Sequence, residues 1–186
     1  RWLYPLLEGK ITMIYSMTEP HGGADPTGFR CQAVRDGDEW VINGDKFFSS
    51  GAEQAELILL MAVTDPDASA YQGMSMFIVP TNAPGVRIFG ELGGRDDDDE
   101  EYRGVGFGHH PYIRYQDVRV PKTALVGEEN AGWKLVTNQL NHERVALVSA
   151  QPIFVALNGV REWAQNTKDV HGNFALCNAA ELEQIL

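Results

Sequence analysis

Turn signals break the first two thirds of this 186-residue chain into short extended runs, and near Pro121 the pattern changes. Arg30 to Arg35 and Trp40 to Asn43 flank the polar turn Asp36-Gly37-Asp38. Asn43-Gly44 marks a second tight turn before Lys46-Phe47-Phe48, a hairpin signal. Leu57 to Val63 is continuously apolar, which predicts a strand covered on both faces. Met74 to Val79, Val86 to Phe89, Tyr112 to Tyr115 and Val118 to Val120 complete a set of short strands. From Gly132 to about Thr167 turn residues thin out and a helical period takes over, with Asn130 placed as an N-cap and Pro152 placed to kink or split the helix. The pattern predicts an α+β chain: an antiparallel β-barrel or sandwich followed by the first helices of an α-helical bundle.

Composition excludes several classes of function. The longest apolar run, Leu57 to Val63, is far too short to span a membrane. A formal net charge of -11 gives no electrostatic reason to seek nucleic acid or anionic lipid. Six of those negative charges form the run Asp96 to Glu101, which reads as a solvated loop. Cys31 and Cys177 lie far apart in unlike contexts, which argues against a disulfide framework or a zinc site and fits a reducing compartment. No metal site and no secretory signal is visible, and Arg1 opens abruptly inside what reads as a folded segment of a longer protein.

Two features carry chemistry. Ile11 to Met17 reads as an extended run, and it leads into Thr18, Glu19, Pro20 and the pair Gly22-Gly23. Proline forces a turn there and glycine lets the backbone come close to a ligand, so the stretch reads as a ligand-facing turn. The second feature is Glu143. Apolar positions at Trp133, Val136, Leu140, Leu147, Ala150, Phe154 and Leu157 keep a regular helical spacing only if position 143 is counted, and that position is a glutamate. A carboxylate among apolar groups resists ionisation, which suits a general base; it equally suits an ion pair that holds two elements in register.

Several stretches, in order, resemble the acyl-CoA dehydrogenase family. They are Tyr15-Ser16-Met17-Thr18-Glu19-Pro20, Trp40 through Gly51, Gly73 through Pro80 with Pro84-Gly85-Val86, Asp117 through Pro121 with Leu125 to Glu128 and Gly132-Trp133, and Leu140 through Val145. The likeness spans roughly residues 1 to 165. It implies the end of an N-terminal helical domain or linker at 1–10, a middle β-barrel domain at 11–122 and the start of a C-terminal helical domain at 123–186.

The resemblance also implies an FAD-dependent α,β-dehydrogenation of an acyl-CoA thioester, with electrons passed to an electron-transfer flavoprotein. Tyr15, Met17, Thr18 and Gly23 are then expected on one side of the flavin, and Phe48, Ser49 and Ser50 over the opposite region. Phe48 stands where many relatives carry tryptophan. Ala24, Asn141 and Arg144 take substrate-binding positions, although relatives often carry a serine at the place of Ala24. Glu143 takes the place of the base used by a subset of the family with branched, long or bulky substrates; most relatives use a glutamate further downstream. Two other readings share the scaffold: an acyl-CoA oxidase using oxygen, and a non-catalytic or half-site subunit of a hetero-oligomer. The resemblance implies a homo- or hetero-oligomeric dimer or tetramer in the bacterial cytoplasm or the mitochondrial matrix.

Overall fold

The computed structural model describes residues 2–90, 110–147, 149–168 and 172, with the side chains of 145–147 left aside. The acidic run Asp96 to Glu101, Cys177 and the weak helical pattern at Ala179 to Leu186 lie outside the described residues. The chain forms two compact units, Arg1–Asn138 and Gln139–Leu186.

The first unit begins with a short helix, α1 (Leu3–Leu7), followed by β1 (Met13–Ser16), β2 (Gln32–Asp36), β3 (Glu39–Lys46), β4 (Leu57–Val63), β5 (Met74–Pro80), β6 (Val86–Phe89), β7 (Tyr112–Pro121) and β8 (Leu125–Val126). These strands form one eight-stranded sheet in the order β6-β7-β3-β2-β4-β5-β8, with β1 pairing β4 off that path. Most neighbours are antiparallel, as expected. Two pairings are parallel: β1 runs alongside β4, and Gln32 of β2 meets Val63 of β4.

Side chains of a strand alternate between its two faces. On β4, Ile58, Leu60 and Ala62 enter a core shared with Trp40, Ile42, Phe77, Val79, Ile88, Ile113 and Val118. Leu57 and Met61 are equally buried, so β4 is covered on both faces. Part of the second cover comes from the start of α2 (Gly132–Leu147): a Cβ at Gly132 would lie 2.9 Å from the Met61 sulfur. Only glycine lets the helix begin this close to the sheet.

Asn43-Gly44 does not turn the chain. Both residues lie inside β3, at a shift in its register with β7. Asn43 Nδ2 donates to Asp117 Oδ1, and the Asp117 amide donates back to Asn43 Oδ1. Gly44 has φ +140°, and a Cβ there would sit 2.5 Å from Cys31 Cα. The dipeptide that predicted a hairpin therefore makes a β-bulge, because contacts across the sheet override a local signal. The actual hairpin is the Asp36-Gly37-Asp38 turn, between β2 and β3.

Asn130 is not the N-cap of α2 either. It sits two residues before the helix in a left-handed conformation (φ +65°). Its amide donates to Ser75 Oγ and its Oδ1 accepts from Thr64, tying the helix entry to the ends of β4 and β5. Pro152 does split the helix. The second segment, α3 (Gln151–Asn166), starts with proline in its first turn, where no amide donor is lost. Phe154 and Leu157, expected on a buried stripe, are exposed on α3 together with Ile153, Val160 and Trp163.

Candidate functional site

The end of β1 and the segment after β3 run side by side and form the two walls of a cavity of about 290 Å³. Its lining is Tyr15, Met17, Thr18, Phe48 and Ser50. Alternation explains the selection. Tyr15 of β1, Met17 just beyond it, Phe48 and Ser50 face the cavity at alternate positions, Thr18 joins them past the strand end, and Ser16 and Ser49 turn to the core and are fully buried. There the two hydroxyls meet at 2.8 Å, beneath the cavity, with the Tyr115 hydroxyl 3.4 Å from Ser16 Oγ. Ser49, expected over the ligand, is instead a buried brace between the two walls.

The walls are joined at their ends as well. The Phe47 amide donates to the Thr18 carbonyl at 2.9 Å, and the Thr18 hydroxyl donates to the Phe47 carbonyl. The Thr18 proton is thus used inside the protein, which leaves its oxygen as an acceptor on the cavity wall. Phe48 follows with φ +57°, an uncommon conformation for a bulky side chain, and its ring lies 4.1 Å from that of Phe47. Such strain costs on the order of 1–3 kcal/mol and persists only where the surroundings hold it. Here the bonds of Phe47 on one side and of Ser49 on the other do so; the Ser49 amide donates to the Pro111 carbonyl at 3.2 Å.

Below the Thr18 end lies a buried ion pair. Lys46 Nζ is 2.8 Å from Glu19 Oε1 and 2.7 Å from the Met17 carbonyl, and 4.5 Å from the centre of the Phe29 ring. Glu19 also accepts from the amides of Arg30 and Cys31. This cluster pins both ends of the turn that the sequence marks as ligand-facing. Gly23 closes the turn by exchanging two backbone bonds with Glu19; its φ of +58° is what requires glycine. Gly23 and Ala24 are exposed and do not line the cavity.

Asn141, Glu143 and Arg144 all fall in the second unit, on the later part of α2. Glu143 is half-buried, and its Oε2 accepts from Gln139 Nε2, one helical turn earlier, at 3.0 Å. Among the described residues Glu143 makes no ion pair, so the register-holding arginine weighed in the sequence is not found there. Asn141 and Arg144 are exposed. Sequence reasoning missed His110, whose Nδ1 lies 2.6 Å from Ser50 Oγ at the cavity rim. No local pattern reveals that pairing, since 60 residues separate the partners.

The cavity's chemistry is that of a seat for a flat, mostly apolar ring with a polar edge. Tyr15, Met17 and Phe48 give apolar walls, and Thr18 and Ser50 add two hydroxyls. The size suits a ring system rather than a whole dinucleotide. Residues 15–100 match the acyl-CoA dehydrogenase middle domain. The chain belongs to the acyl-CoA dehydrogenase family. The acyl-CoA dehydrogenase FadE26 of Mycobacterium tuberculosis is 46% identical over 169 residues, which cover 88% of this chain and 39% of that protein. Among solved structures, the ChsE4-ChsE5 complex from Mycobacterium tuberculosis aligns with a TM-score of 0.72 at 42% identity, over 98% of this chain and 44% of the solved one. The Tcur3481-Tcur3483 steroid ACAD aligns with a TM-score of 0.72 at 39% identity, over 89% of this chain and 41% of the solved one. This family chain therefore spans about two fifths of the length of such relatives. Among the described residues no helix is long and apolar enough to cross a membrane, and no cluster of His, Cys, Asp or Glu could hold a metal ion.

Proposed function

We propose that the protein containing this chain catalyses FAD-dependent α,β-dehydrogenation of an acyl-CoA thioester and passes the electrons to an electron-transfer flavoprotein. The observation that carries the reading is the braced cavity between Tyr15-Met17-Thr18 and Phe48-Ser50, in a chain of this family. The apolar walls and two hydroxyls fit the flavin ring system, which when bound supplies the acceptor for the hydride leaving the β-carbon. Tyr15, Met17 and Phe48 exclude water from it, and Thr18 and Ser50 orient its polar edge. In the domain scheme, 1–10 ends an N-terminal helical part, 11–122 is the middle domain and 123–186 opens the C-terminal helical domain.

Glu143 is the proposed base for the proton next to the thioester carbonyl. Gln139 holds Oε2, which leaves Oε1 to take the proton. Asn141 and Arg144 support the acyl-CoA arm, with Ala24 at the position that often contributes a serine. The 39% identity with a protein described as a steroid ACAD supports a bulky acyl group rather than a short one. Full-length protein should be bleached by a suitable acyl-CoA without oxygen, and Glu143→Gln should stop bleaching while leaving flavin bound. Bleaching by Glu143→Gln at a near-normal rate would move the base elsewhere.

A second reading is a half-site subunit of a hetero-oligomeric dehydrogenase. Ala24 in place of the usual serine favours it, as does 42% identity with a protein solved as a ChsE4-ChsE5 complex. Bleaching only after a partner subunit is added would select it.

A further inference from the structure

We propose that His110 is a positioning residue for the cavity, acting through Ser50 and Phe48; this deepens the flavin reading above and rests on it. Three contacts converge on the short segment after β3. His110 Nδ1 and Ser50 Oγ are 2.6 Å apart. The His110 ring meets the Phe48 ring edge-on, with centroids 6.1 Å apart and planes at 66°. The neighbouring Pro111 carbonyl accepts the Ser49 amide at 3.2 Å. Residues 110–111 therefore hold the backbone of this wall, its ring and its terminal hydroxyl at once.

The consequence is chemical as well as mechanical. A serine hydroxyl has one proton and two lone pairs and turns freely unless a partner fixes it. A bond to Nδ1 fixes the Ser50 side-chain rotamer whichever atom donates, so the cavity meets Oγ in one position, and where Ser50 is the donor its proton is fixed as well. A ligand that bonds Ser50 then avoids the entropy of freezing that rotor. Phe48 gains similarly: its left-handed backbone leaves the ring dependent on neighbours for its direction, and the imidazole edge is one of them.

The test uses full-length protein stripped of flavin and titrated with FAD, followed by fluorescence quenching and the visible absorption band. His110→Ala should weaken FAD binding roughly three- to tenfold, the loss expected for one hydrogen bond. It should also shift the visible band, with thermal unfolding unchanged because His110 is exposed. His110→Asn, whose amide can reach the place of Nδ1, should restore most of the affinity. In a Ser50→Ala background, His110→Ala should shift the visible band less than it does in the wild type, keeping only the part that acts through Phe48. Affinity and spectrum equal to wild type in His110→Ala, or a full additive loss in the double variant, would overturn the proposal alone. A wild-type protein that takes up no flavin would overturn the flavin reading, and this proposal with it.

Discussion

Lys46 Nζ lies 2.8 Å from Glu19 Oε1, and both side chains are shut off from solvent. Two charges in a protein interior are tolerated only when their remaining bonding capacity is met. Here the ammonium also serves the Met17 carbonyl, and the carboxylate serves the Arg30 and Cys31 amides. Breaking one side of such a pair costs about 3–5 kcal/mol, because the other charge stays buried alone. Lys46→Met should thus lower the urea midpoint of unfolding sharply, and Lys46→Met with Glu19→Gln should recover part of the loss. A double variant worse than Lys46→Met would show that the carboxylate stabilises the turn without its cation.

Phe48 should show the opposite trade. The residue is 53% exposed, so little buried area is lost on replacement, while its φ of +57° strains any bulky residue. Asparagine tolerates that conformation. Phe48→Asn should leave the unfolding midpoint unchanged or raise stability by up to about 1 kcal/mol, while FAD binding weakens. A midpoint that falls together with FAD affinity would mean the ring supports the fold rather than the ligand.

Two glycines separate clash from conformation. At Gly44 an added Cβ meets Cys31 Cα at 2.5 Å, and at Gly37 it meets nothing within 4 Å. Gly37→Ala should cost about 1 kcal/mol for its positive φ alone. Gly44→Ala should cost clearly more, because two backbones must move apart. Equal losses in urea unfolding would contradict the close approach of β3 to Cys31.

How legible this fold was follows from the range of the interactions. β4 and β6 lie where continuous apolar or β-branched runs place them, because their burial depends on local pattern. Pro152 was legible for the same reason: its missing donor acts on its own helix. Asn43-Gly44 misled, since Cys31 and Asp117 decide its shape from across the sheet. Family likeness pointed to both cavity walls, yet only the structure shows that Ser49 braces while Phe48 and Ser50 face inward. His110 gave no signal at all, because nothing near it in sequence marks a partner 60 residues away.

Alkaline pH offers a test of the core beneath the walls. Burial pushes the Cys31 thiol up to about 12, and burial raises the Tyr115 phenol as well. In the folded chain Cys31 keeps a proton that the unfolded chain releases near its ordinary value of about 8.5. Stability from this source is therefore complete below that value and falls as pH rises toward about 12. Denaturation midpoints should drop over this window, and Cys31→Ala should make the drop shallower. An unchanged slope would mean that the thiol ionises in the folded protein.

A flavin seat between the walls at 15–18 and 48–50 has a direct spectral signature. The visible spectrum of full-length protein, purified alone and with candidate partner subunits, tests it most directly when paired with Met17→Glu, which sets a carboxylate into the apolar wall. The wild-type protein should be yellow with a flavin band, and the variant should fold but lose the band. A colourless wild type in every preparation, or a variant that keeps flavin at wild-type affinity, would contradict it.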